Sequence, residues 1–363
     1  MKQAKRIFIT DCEGPITKND NAFELVSHFI PEGEKFFTQI SRYDDVLADI
    51  VRREGYKAGD TLKLVVPFLK AYGVNNKKMS NFSSQNTSII PNARDLLQFV
   101  KAGMPSFIVS TSYEHYIRAL CSVLRFPFEN TYCTRLNIDA YPLSTGEREE
   151  LMQLRREICE MPLLEIPEEA TSLQAFSEKE RQTIGRLDEI FWERVHQMKA
   201  GAMLREVNPI GGFEKANSVM DVVKKIRADL SDVMYVGDSI TDVQCFRLVK
   251  DGGGLTVSFN GNAYAVRAAS IALLSNNALV VAIIADVFNR LGIDAVFHLI
   301  SNWKYEALEK FEVSPNLQTK LRTVFTDELP RASEITASNM KELSRESGAF
   351  RKLVRGEKVG KLG

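Results

Sequence analysis

Short, continuous apolar runs recur along this chain, separated by longer amphipathic stretches. That alternation constrains the fold most, because βαβ units produce it and their strands, covered on both faces, read as unbroken hydrophobic runs. Strands are expected at residues 6–10, 105–110, 131–139, 233–236, 255–259 and 270–274, with helices at 93–102, 113–124, 213–228 and 241–249 between them. The expected fold class is therefore α/β with a mostly parallel sheet. In such sheets ligands bind beyond the carboxyl ends of the strands.

Several of those ends carry chemistry. The first run closes on Asp11, with Glu13 two residues on; the second closes on Ser110, Thr111 and Ser112. Lys215 opens a helix-like segment, and the run 233–236 leads into Gly237, Asp238 and Asp242. An aspartate nucleophile, a hydroxyl, a lysine and a second pair of acids suit phosphoryl transfer. A phosphomonoester repels nucleophiles, so it needs neutralisation, an in-line attacker and a proton for the leaving oxygen. Asp11 is the expected nucleophile and Glu13 the general acid and base. Ser110, Thr111 and Lys215 are candidates for the phosphoryl oxygens, with Ser110 and Thr111 competing for one contact. Magnesium accepts a few carboxylates with phosphate and water oxygens. Asp11, Glu13, Asp238 and Asp242 are the residues expected around it, Asp242 either as a ligand or by orienting Lys215.

In this order the four motifs, spanning Asp11 to Asp242, resemble those of the haloacid dehalogenase-like (HAD) superfamily. The likeness within it is to phosphoserine phosphatase-like proteins, archaeal ones especially, and segments 132–139 and 254–262 are similar to secondary signatures of that group. The resemblance implies a Rossmann-like core, a magnesium-dependent phosphatase and an aspartyl-phosphate on Asp11. It also implies a helical cap inserted after the first strand, and places Asp20 as a substrate-contacting acid. The stretch 10–25 is more faintly similar to archaeal proteins labelled as a hydrogenase subunit. Glu13 departs from the pattern, which has aspartate there. One extra methylene moves a carboxylate by roughly 1 Å, a misplacement that can cost on the order of 100-fold.

The domain reading is a core of 1–17, 89–143 and 206–275, a helical cap of 18–88, a charged helical insertion of 144–205 and a C-terminal helical extension and tail of 276–363. The insertion's mixed charge reads as a solvated helix face, or else as a second cap element or docking arm. From 330 onward the chain reads as a helix and a solvated tail, the alternative being a docking segment. Asp20 suits an amine, and Arg42, Arg52 or Arg53 a carboxylate, on a small phosphorylated metabolite. With 47 basic and 47 acidic residues no nucleic-acid footprint is expected. Five scattered cysteines point to reduced thiols in a cytoplasmic protein, and no apolar stretch is long enough for a membrane span. Two other readings stay open: a phosphotransferase, and a catalytically weak scaffold that binds a protein partner or a second copy through the insertion or C-terminal region.

Overall fold

The computed structural model describes residues 6–167 and 170–362. Residues 1–5 of the expected core, 168–169 of the insertion and 363 of the tail lie outside the described residues.

The strands are β1 (Ile7–Thr10), β2 (Ser106–Tyr113), β3 (Thr131–Thr134), β4 (Val233–Gly237), β5 (Leu255–Phe259), β6 (Ile271–Leu274) and β7 (Arg331–Glu334). They form one seven-stranded sheet in the order β3-β2-β1-β4-β5-β6-β7, parallel except where β7 runs antiparallel to β6. The fold is α/β and Rossmann-like. All six expected strands are present. β3 stops five residues short of expectation because its last side chain ends the ladder: the Thr134 hydroxyl donates to the Thr111 carbonyl and accepts from the Ile210 amide. β7 lies in the stretch read as solvated tail. Only Ala332 of its four residues is buried, so it shows no hydrophobic run.

Both sheet faces are covered. Helices Phe213–Ile226 and Val243–Asp251 pack on Ile7, Ile9, Val233 and Tyr235. On the other face lie helices Ala93–Gly103 and Leu279–Leu291, the latter buried through Phe288. Helix Leu279–Leu291 is thus part of the core and ends at Gly292, whose φ of 96° a glycine tolerates at no cost. Cys12 packs into this face, as strand alternation implies.

The two inserted segments make one helical unit. Helices Asn21–Phe29, Gly33–Asp45, Thr61–Ala71 and Asn76–Gln85 come from the first; Thr145–Glu160, Glu178–Asp188 and Gly201–Glu206 come from the second. They share a single apolar cluster in which Tyr43 stacks on Phe191 at 5.8 Å and Phe68 meets both Phe36 and Phe191 edge-on. The solvated-face reading of 144–205 is therefore corrected. Only one side of those helices is solvated, and their charge runs begin at capping boxes, Ser144 with Glu147 and Ser177 with Glu180.

The expected solvated tail is corrected in the same way. Helix Met340–Arg355 packs on helix Ala263–Ala268 and turns Leu343, Ser347 and Arg351 inward at four-residue spacing. The Ser347 hydroxyl donates to the Gly261 carbonyl at 2.7 Å. Beyond Gly356 the chain continues to Val359 and Leu362, which are buried in the helical unit's core. No helix among the described residues is long and apolar enough to cross a membrane.

Candidate active site

β1 and β4 are hydrogen-bonded neighbours, so the residues that follow them emerge side by side at the carboxyl edge of the sheet. Asp11 follows β1 and Asp238 follows β4. The intervening turn can pass this close only because residue 14 is glycine. Its φ is 104°, and a Cβ there would sit 2.0 Å from Asp238 Oδ2.

Lys215 enters from the first turn of helix Phe213–Ile226, fully buried. Its Nζ lies 2.7 Å from Asp11 Oδ2 and 2.7 Å from Asp242 Oδ1. Burial works against its charge, but Asp11 and Asp242 outweigh that and hold the amine above its ordinary range. Asp242 has no capacity left: Oδ1 also accepts from Tyr235 Oη at 2.7 Å, and Oδ2 accepts the amides of Asp238 and Ser239. Asp242 therefore orients Lys215 and the turn after β4. Asp11 Oδ1 accepts the Cys12 amide at 2.7 Å. Burial pushes the Asp11 carboxyl up to about 7, with Lys215 opposing.

Glu13 lies outside this group. Its Oε1 accepts the Asn21 amide at 2.7 Å, and burial and then nearby Asp20 hold its carboxyl well above the usual range. Asp20 caps helix Asn21–Phe29 by accepting the Phe23 amide at 2.9 Å, and it too is raised, by burial. Ser110 is buried with its Oγ accepting from the Ser112 amide at 3.1 Å, and it is not on the cavity wall. Thr111 is on that wall, and its buried hydroxyl has no partner among the described residues.

The cavity holds about 90 Å³ between the sheet edge and the helical unit. That is small against the roughly 300–1,000 Å³ of ordinary ligand pockets. Arg42, Arg52 and Arg53 do not line it. Arg42 donates to the Leu164 carbonyl, and Arg53 pairs with Asp188.

Two residues that the sequence reading passed over do line it: Arg351 and Arg355, from the C-terminal helix. Both guanidinium groups bind Asp238 Oδ2, Arg351 through Nη1 and Arg355 through Nη1 at 3.0 Å. Arg355 also donates to the carbonyls of Lys18 and Asn19, where the chain leaves β1 for the helical unit. The usable sequence signal was the inward stripe Leu343, Ser347, Arg351. Nothing in the composition marks its arginines as facing inward.

Carboxylate oxygens of Asp11, Asp238 and Asp242 lie within 4.8 Å of one another. Asp11 and Asp238 have the hard-oxygen chemistry a magnesium ion accepts, with room left for phosphate and water. Asp242, saturated, serves as their support.

No family model matches the chain, and no curated protein does. Among solved structures it is similar to gene product AF1437 from Archaeoglobus fulgidus, at 27% identity over 99% of each chain with a TM-score of 0.81. That likeness runs through the sheet, both insertions and the C-terminal region. A substrate-bound phosphoserine phosphatase overlaps 76% of this chain and 96% of its own, at 12% identity and a TM-score of 0.46. A HAD family hydrolase from Salmonella enterica serovar Typhi overlaps 71% and 64%, at 10% identity and 0.40. Overlays that loose carry no argument. The parallel sheet, with the motif residues meeting at its carboxyl edge, makes the fold HAD-like.

Proposed function

We propose that this protein is a magnesium-dependent phosphatase that hydrolyses a small phosphomonoester through an aspartyl-phosphate on Asp11. The observation that carries the reading is the buried chain Asp11–Lys215–Asp242 at the floor of a closed cavity. It presents a carboxylate whose position is held from both sides, as a nucleophile requires. Magnesium, held by Asp11 and Asp238, would supply neutralisation of the phosphoryl group.

An Asp11 carboxylate oxygen attacks phosphorus in line, and the bond to the ester oxygen breaks. Glu13, kept protonated towards neutral pH by burial and Asp20, gives its proton to that oxygen. Glu13 then takes a proton from the water that hydrolyses the Asp11 acyl phosphate. Lys215 and the unpartnered Thr111 hydroxyl supply donors to the non-bridging oxygens. In this reading the inserted helices are a cap that excludes water. The cavity's size restricts the substrate to a small metabolite, and Asp20 suits an amine on it.

The test is phosphate release from a panel of small phosphomonoesters, with and without magnesium, by wild type and Asp11→Asn. Release that needs the metal and falls by ~10⁴-fold in the variant supports the reading. Release only on addition of an alcohol acceptor means phosphotransfer. Silence of wild type across the panel, and of Glu13→Asp as well, sinks the enzyme and leaves the scaffold.

A further inference from the structure

Asp238 is already occupied. Two buried arginines share its Oδ2, so a cation that is to use this carboxylate meets two guanidinium groups there first. The charges around it cancel: Asp11, Asp238 and Asp242 face Lys215, Arg351 and Arg355. A divalent cation entering alone would leave two positive charges uncompensated in a buried site, which is costly. A phosphoryl dianion entering alone would leave about two negative ones. Entering together, they restore neutrality.

The cavity also has donors without acceptors. Arg351 is 2% exposed and its buried Nε has no partner among the described residues; the Thr111 hydroxyl is in the same condition. Phosphoryl oxygens are acceptors, and a guanidinium fork matches them in geometry and charge.

We propose that Arg351 and Arg355 are exchange groups: they hold Asp238 while no cation is bound and donate to the phosphoryl oxygens of the ligand once a divalent cation takes Asp238. This rests on the reading above that the site takes a phosphoryl group with a cation. It makes the C-terminal helix a source of substrate-binding residues and makes cation and anion bind cooperatively. Arg355 adds a link to the cap, because its other donors hold the carbonyls of Lys18 and Asn19.

The experiment is titration of the full-length protein with Mn²⁺, free Mn²⁺ being read by electron paramagnetic resonance, with and without saturating inorganic phosphate. In wild type the Mn²⁺ affinity should rise ~10-fold or more with phosphate, and phosphate affinity should rise by the same factor with Mn²⁺. Arg355→Gln should bind Mn²⁺ more tightly than wild type without phosphate and lose most of the coupling, and Arg355→Lys should restore part of it. Equal Mn²⁺ affinity with and without phosphate in wild type overturns the proposal whether or not a variant folds. So does a folded Arg355→Gln with unchanged Mn²⁺ affinity, or Mn²⁺ binding that survives Asp238→Asn. Neither titration reads turnover, so failure of the phosphatase reaction and failure of this inference are separate outcomes.

Discussion

Lys215 is the residue on which the site's geometry turns. It is a fully buried cation between two buried carboxylates, and no solvent can replace it. Lys215→Met leaves Asp11 and Asp242 facing each other without compensation. The expected loss is about 3–5 kcal/mol in urea unfolding, together with all phosphate release; a loss under ~1 kcal/mol would contradict the buried-pair account. Asp44 makes a pH prediction. Burial raises its carboxyl from 3.8 to about 7, against the hydrogen bond from Tyr56 and with Asp60 adding to the rise. Between about pH 4 and 7 the unfolded chain has lost a proton that the folded chain keeps, so stability falls as pH rises through that window and levels off above it. Asp44→Asn has no proton to lose there. Denaturation from pH 5 to 8 should show the variant gaining on wild type by on the order of a few kcal/mol, and parallel curves would refute it.

At the scale of elements, the parallel strands and the acids at their ends were legible because a covered strand must be apolar throughout and its end must then turn polar. Asp11, Lys215, Asp238 and Asp242 converge for that reason. The insertion was misread because charge density hid an inner stripe, Leu151, Leu154 and Ile158, at helical spacing. Phe191 tests the shared core: it is fully buried against Tyr43 and Phe68 from the other insertion. Phe191→Ala should cost about 3–5 kcal/mol, and chemical denaturation should show both insertions unfolding together. A variant in which helices 21–85 melt unchanged would mean that the two segments stand independently. β7 and the arginine face of the last helix were not legible, since a short edge strand and a half-polar stripe leave no periodic signal.

For the whole molecule, the C-terminal region closes the sheet and the site at once. β7 covers the outer edge of β6, so a chain ending at residue 329 exposes the apolar edge Ile271–Leu274 to pairing with another chain. Light scattering should show that truncated chain associating where the full chain does not, and a monodisperse product would count against the edge's protective role. The same region has a consequence for how the molecule is made. Asp11 and Arg351 are drawn together from distant parts of the chain, and contacts of such separation form late. A folding intermediate with its sheet assembled and its last helix undocked carries three carboxylates against Lys215 alone. Millimolar magnesium in the refolding buffer should therefore speed recovery of the native state, serving as a temporary placeholder that the arginines later evict.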